Sequence, residues 1–266
     1  MELCSIASGS SGNCIYVGTD ATHLLVDVGI SGKKTESGLN SIGKSLNQMD
    51  GILITHEHSD HISGLGVLSR KYHIPIYATS KTIEAIRKSS SLGKIDDSLF
   101  VPIRTDEHFR IKDITIEPMH TSHDAIDPVA YRMRYENKRI AIATDLGTYN
   151  DYTVECLKGM DLLFLEANHD VNMLQVGPYP YRLKQRILGD KGHLSNDLSV
   201  QLLKRIAHDK LQGVVLGHLS KDNNIPELAY ETVRVELSMN SDIYKESPFP
   251  ITVAKRDQVS ARIRIA

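Results

Sequence analysis

The chain runs to 266 residues, 41% of them hydrophobic, with 31 Lys and Arg against 33 Asp and Glu, a net charge of −2; this fits one soluble domain over residues 1–266 and argues against a strongly basic nucleic-acid surface overall. No basic leader, long apolar segment or cleavage-site pattern follows Met1, so secretion and a membrane partner are not expected. Cys4, Cys14 and Cys156 are odd in number and form no Cys-x-x-Cys pair, so they read as reduced, small apolar residues in a cytoplasmic protein.

In chain order, β-branched apolar runs predict strands at 2–7, 14–18, 22–28 and 51–55, followed by a helix at 60–72, a strand at 75–79 and a helix at 80–90. Between the first two strands Ser10, Ser11, Gly12 and Asn13 form a turn, open either to close approach of a ligand or to a plain hairpin. Strands follow at 113–119, 129–135 and 138–143, then a helix at 151–159, a strand at 161–166 and a helix at 196–208. A strand at 213–217, a helix at 226–240 and strands at 250–254 and 260–265 complete the pattern, with no internal repeat or low-complexity linker. So many strands mixed with helices allow two sheets packed face to face under helices, or one doubly wound sheet; periodicity alone does not separate them.

Six of the apolar runs end on a residue able to bind a metal or orient one that does. Leu24-Leu25-Val26 meets Asp27, Ile52-Leu53-Ile54 meets Thr55 and His56, and Ile114-Thr115-Ile116 leads to His120 and His123. Ile140-Ala141-Ile142-Ala143 leads to Asp145, Leu162-Leu163-Phe164-Leu165 reaches Glu166, and Val214-Val215-Leu216 reaches His218. The densest cluster is His56, His58, Asp60 and His61, spaced His-x-His-x-Asp-His, whose imidazoles and carboxylate suit zinc, iron or manganese. The pattern points to strand ends gathered on one edge of a sheet assembly.

Together with Asp145 in Ala-Thr-Asp and His218 in Gly-His-Leu-Ser, these residues resemble the ligand set of metallo-β-lactamase-fold hydrolases with two metals. The chain is more similar again to the YycJ/WalJ-type branch, through Ser8-Gly-Ser-Ser-Gly-Asn-Cys14, Ser122-His-Asp-Ala125, Leu165-Glu-Ala-Asn-His169, Gly189-Asp-Lys-Gly-His-Leu-Ser-Asn196 and Gly217-His-Leu-Ser-Lys-Asp-Asn-Asn224. The resemblance spans the chain from about residue 2 to the end. It implies an α/β fold in four αββα layers. It also implies one divalent ion on His56, His58 and His123, a second on Asp60, His61 and His218, and Asp145 bridging both. His120 ends the same predicted strand as His123, but the Asp-Ala after His123 and the strand start at Pro128-Val-Ala-Tyr131 match the family's pattern; His120 is then a hydrogen-bonded supporter or an exposed residue. The interval from Asp145 to His218 is filled by predicted strands and helices, and that from His123 to Asp145 is short. Neither has room for the clamping domain or tRNA-gripping arm of RNA-processing relatives.

On this resemblance two ions (Zn, Mn or Fe) bridged by Asp145 and a hydroxide would supply a nucleophile at neutral pH and clamp a phosphate, while Asp60 binds one ion and orients the hydroxide. His193 resembles the non-ligand histidine that tRNase Z-like phosphodiesterases place opposite the metals, a general acid for the leaving oxygen; the alternative is a helix-entry residue before the capping types Ser195 and Asn196. Ser195, Ser220, Asn223 and Asn224 are candidate donors to phosphate oxygens, and ordinary capping explains them almost as well. Arg182, Lys184, Arg186 and Lys191, with Tyr179 and Tyr181, suit a phosphate backbone and a stacked base, or a solvated helix face. The residues themselves reach phosphodiesterase chemistry. The resemblance implies a 5′ to 3′ exonuclease on double-stranded DNA serving repair. A glyoxalase-type thioesterase or lactonase would share the ligands without needing an acid at His193, and a non-enzymatic regulatory module would not need a complete ligand set.

Overall fold

A computed structural model describes residues 1–265. Among them lie fourteen strands: β1 (Glu2–Ala7), β2 (Cys14–Gly18), β3 (His23–Val26), β4 (Gly51–Leu53), β5 (Ile76–Thr79), β6 (Phe100–Ile103), β7 (Phe109–Ile111), β8 (Ile114–His120), β9 (Val129–Tyr135), β10 (Lys138–Ala143), β11 (Leu162–Glu166), β12 (Gly213–Gly217), β13 (Ile251–Val253) and β14 (Ile263–Arg264). The α-helices are α1 (Gly32–Ser41), α2 (Ser59–Ile62), α3 (Leu65–Tyr72), α4 (Ser80–Lys88), α5 (Asp151–Leu157), α6 (Val171–Val176), α7 (Tyr181–Leu188), α8 (Asn196–Ile206), α9 (Pro226–Asn240) and α10 (Asp242–Glu246). The strands fall in two seven-stranded sheets, ordered β14-β1-β2-β3-β4-β5-β6 and β13-β12-β11-β10-β9-β8-β7. Chain contacts divide the molecule into two compact units, one of Met1–His120, Ala125–Glu136 and the segment from Lys255 on, the other of Thr121–Asp124 and Asn137–Ala254. Among the described residues no helix is long and apolar enough to cross a membrane.

In the first unit β1, β2 and β3 pair antiparallel, and β3 to β6 pair parallel through crossovers that carry helices. Helices on a parallel sheet bury its strands along their whole length, which is why Leu24–Val26 and Ile52–Ile54 read as continuous apolar runs. Leu25, Ile52, Ile54 and Ile76 pack with Leu39 of α1, Leu65 and Leu68 of α3 and Ile83 of α4 in one core. β7, β8 and β9 add an antiparallel meander in the register Phe109↔Ile116↔Met133. In the second unit β10 to β13 are all parallel. Here α8 packs against α5 and α9, burying Leu202, Leu203 and Ile206.

Several elements differ from the sequence expectation. The helix expected at 60–72 is two, α2 and α3, divided at Gly64; its N–H donates to Val28 O at 2.8 Å, and a Cβ there would overlap the Ile30 carbonyl. β6 and β7 are short and unexpected, and Pro102 in β6 is tolerated because β6 is an edge strand. α1 buries only Gly32, Thr35, Gly38 and Leu39, too narrow a stripe to register as apolar periodicity. α6, α7 and α10 are also additional, and the strand expected at 260–265 shrinks to Ile263–Arg264.

Candidate metal centre

The first unit gathers a histidine cluster on the segment after β4. His56 and His61 are buried, His58 and Asp60 half-buried. His58 caps α2, whose single turn presents Asp60 and His61. The His56 ring centroid lies 4.6 Å from that of His58 and 4.1 Å from that of His61, so three imidazoles converge. Asp27, in the left-handed region with φ 58° at the end of β3, holds the cluster: it accepts Thr55 N and Thr55 Oγ1, each at 2.9 Å, and pairs with His61 Nδ1 at 2.7 Å. A carboxylate on Nδ1 assigns the proton there and leaves Nε2 with a lone pair. Asn13 Nδ2, a donor 3.3 Å from His61 Nε2, agrees. The turn over residues 9–13 clasps this loop: Asn13 N donates to Asp60 O at 2.8 Å, and Asn13 Oδ1 accepts Gly9 N at 3.0 Å. Gly29 sits so close that a Cβ would overlap the Asp60 carbonyl.

The second unit gathers Asp145, Glu166, His193 and His218 closely enough to hold a cation. They lie just past the ends of the neighbouring parallel strands β10, β11 and β12 and in the loop before α8. Asp145 (φ 60°) and His218 (φ 56°) both adopt the left-handed conformation, which non-glycine residues rarely hold except where function requires it. Asp145 Oδ1 lies 3.7 Å from His123 Nε2, 3.5 Å from His218 Nε2 and 3.6 Å from His193 Nδ1. Buried Glu166 joins the rest. One oxygen meets His193 Nδ1 at 2.8 Å and His218 Nδ1 at 2.9 Å, and the other accepts Leu146 N at 2.8 Å and Leu194 N at 3.1 Å. Burial opposes its ionisation, but the charges and hydrogen bonds of His193 and His218 outweigh that and hold the carboxyl well below its ordinary value. His123 is also buried, with Nδ1 on Gly192 O at 3.0 Å. Burial lowers its pKa against the pull of Asp145, so the ring is a neutral donor. His120, by contrast, is exposed at the end of β8.

The donor chemistry fits divalent ions of the zinc, iron or manganese type. His61, His123 and His218 each have Nδ1 on a carboxylate or carbonyl, the outer support that ligating histidines characteristically carry, leaving Nε2 as the donor. The four candidate phosphate donors are buried and bonded internally. Ser195 caps α8 by accepting Leu198 N. Ser220 Oγ accepts Asn223 N at 3.3 Å, and Asn224 Nδ2 donates to Ala167 O at 2.9 Å and exchanges amide bonds with Asn196. The sequence marks Asp27 and Glu166 as strand-end acids able to bind a metal or orient a ligand, without telling which histidines they orient. That position at a strand end was the signal.

Residues 22–218 match the model of the beta-lactamase superfamily domain. Exodeoxyribonuclease WalJ of Streptococcus pneumoniae serotype 2 (strain D39) is 44% identical over 250 residues, covering 91% of this chain and 93% of that protein. Exodeoxyribonuclease YycJ of Bacillus anthracis is 42% identical over 228 residues, 86% of each. Among solved structures, Zn(2+)-bound PqqB from Methylobacterium extorquens has a TM-score of 0.73 at 16% identity over the whole of both chains. The metallo-beta-lactamase fold protein YhfI from Bacillus subtilis has 0.70 at 19%, covering 97% of this chain and 98% of that one. The chain therefore belongs to the beta-lactamase superfamily and has the metallo-β-lactamase fold, an α/β sandwich of two mixed sheets with helices.

Proposed function

We propose that this chain is a metal-dependent phosphodiesterase acting on nucleic acid, a 5′ to 3′ exonuclease of double-stranded DNA serving repair in the cytoplasm. The observation that carries the reading is the single carboxylate of Glu166 under both His193 and His218, which ties a non-ligand histidine to a ligand one. Two relatives covering most of the chain bear the name exodeoxyribonuclease, which supports the substrate class. Three buried cysteines, Cys4, Cys14 and Cys156, none in a disulfide, fit a reducing compartment.

Two divalent ions would be held by His56, His58 and His123 and by Asp60, His61 and His218, with Asp145 common to both; when bound, they supply an activated water and neutralise phosphate charge. On this reading residues 1–266 work as one domain. Asp60 would help hold one ion and orient the attacking water. His193 in its charged form carries a proton on each nitrogen. Glu166 keeps the one on Nδ1, and the one on Nε2 passes to the leaving oxygen. The neutral ring that results is the tautomer Glu166 already binds, so proton transfer needs no ring rotation. Ser195, Ser220, Asn223 and Asn224 serve substrate binding by fixing the loops that carry His193 and His218.

Turnover of end-labelled single- and double-stranded DNA and RNA with added Mn²⁺ or Zn²⁺, beside a thioester, tests the substrate class. Duplex DNA is expected to be degraded fastest. Thioester turnover with none on nucleic acid would replace the reading with the glyoxalase-type alternative.

A further inference from the structure

α7 is a helix the core does not need. Of its eight residues only Ile187 is buried, whereas Tyr181 is 74% exposed and Val176, at the end of α6, is 87% exposed. A helix this short is marginal in water without tertiary support. Its support comes from the loops that carry the histidines. His193 N donates to Ile187 O at 3.1 Å, Ser122 Oγ donates to Asp190 O at 2.7 Å, and Arg186 makes a two-pronged ion pair with Asp124, the neighbour of His123. A Cβ at Gly192 would overlap the carbonyls of Arg186 and Ile187, so helix and loop are packed backbone to backbone. α7 is thus fastened to the segments that place His123 and His193, with its remaining surface open.

The helix's own charges have one sign. α7 carries Arg182, Lys184 and Arg186 and no acid. Arg186 is neutralised by Asp124, and Lys184 donates to Gln175 O at 2.7 Å while keeping its charge. Arg182 and Lys191 are exposed. Tyr179 is tied by its hydroxyl to Asp222, but the Tyr181 ring is exposed and directly precedes Arg182 in the helix. An aromatic face among cations, held at a phosphodiesterase centre, complements a nucleic-acid strand, which offers a charged backbone and a π-face on every base.

We propose that α7 is the strand-holding element: Tyr181 stacks on a base at the end of the strand being degraded, and Arg182 and Lys191 pair with its phosphates. The proposal rests on the phosphodiesterase reading and adds the element that recognises the substrate. The test is anisotropy of a fluorescein-labelled oligonucleotide together with steady-state degradation, using the metal-loaded full chain. Tyr181→Ala is expected to weaken binding and raise KM on the order of tenfold with kcat little changed, and Tyr181→Phe to restore affinity. Arg182→Ala should lower the slope of log affinity against log salt by about one. Lys210→Ala, an exposed cation elsewhere in the second unit, controls for net charge and should leave KM as it is. A thermal midpoint equal to wild type shows that a variant is folded, as expected for such exposed positions. If wild type cleaves DNA while Tyr181→Ala and Arg182→Ala match it in affinity, KM and salt slope, the strand-holding role falls and the phosphodiesterase stands. Binding without cleavage, weakened by both variants, would keep the surface and overturn the phosphodiesterase; neither binding nor cleavage by wild type would overturn both.

Discussion

Asp27 and Glu166 do the same work at widely separated points of the sequence. Each is a buried acid that closes an apolar strand and accepts a hydrogen bond from a histidine Nδ1–H, which fixes the tautomer and turns Nε2 to binding or proton transfer. The first consequence concerns metal. His123→Ala is expected to lower metal content on elemental analysis, as are His58→Ala and Asp145→Ala, whereas exposed His120→Ala should keep it; the opposite result for the two histidines would exchange their roles. The second concerns the proton on His193. His193→Ala should retain its metal yet lose about 10²- to 10⁴-fold in the chemical step on nucleic acid, and far less on bis-p-nitrophenyl phosphate, whose leaving group scarcely needs a proton. Equal losses on both substrates would remove the acid role. At this scale the proposed ligands from His56 to His61 are legible because they sit within six residues of each other. The roles of Asp27 and Glu166 were not, because their partners lie 34, 27 and 52 residues away, and only folding brings them together.

The elements legible in the sequence are those whose local signals agree. α8 has Ser195 at its N-cap and a broad apolar stripe, and Ile140–Ala143 of β10, Leu162–Leu165 of β11 and Val214–Leu216 of β12 are apolar runs because parallel strands are buried on both faces. β6, β7, α1 and α7 were missed because each is short or buries little, so its existence depends on tertiary contacts rather than on pattern. The turn over residues 9–13 joins β1 and β2 as a hairpin, one of the two roles its sequence leaves open, and it also clasps the Asp60 and His61 loop, a role that needs a contact 47 residues distant. The capping role of Ser195 is separable from substrate contact. Ser195→Ala should cost about 1 kcal/mol of stability, a fall in Tm of roughly 2–4 °C for a chain this size. Thermal unfolding beside KM for DNA checks it: a large rise in KM with Tm unchanged would return Ser195 to direct substrate binding.

Across the whole molecule the fold class followed from counting strands and helices once the resemblance had separated a sandwich from a doubly wound sheet; the division into two compact units had no mark in composition or linkers. Buried histidines also set how the folded state responds to acid. His169 is 1% exposed, and burial, outweighing the attraction of Glu166, lowers its pKa to about 4 from an ordinary 6.5. The unfolded chain therefore takes up a proton that the folded chain refuses. Stability is kept above pH 6.5 and lost as pH falls from there to about 4, on the order of 3 kcal/mol for this group. Urea unfolding of chelator-treated protein between pH 7 and pH 4.5 should show a shallower decline for His169→Gln than for wild type, and equal declines would mean that another group carries the dependence.

The central claim is that these ligands and His193 serve stepwise removal of nucleotides from a 5′ end. Its most direct measurement is product-length analysis of one DNA duplex labelled in parallel at the 5′ and at the 3′ end and digested with Mn²⁺ or Zn²⁺ present. The account predicts that the 5′ label leaves at once as mononucleotides or very short products, while the 3′-labelled strand shortens progressively. Internal fragments from both labels, or an intact duplex under conditions where a thioester is hydrolysed, would contradict it.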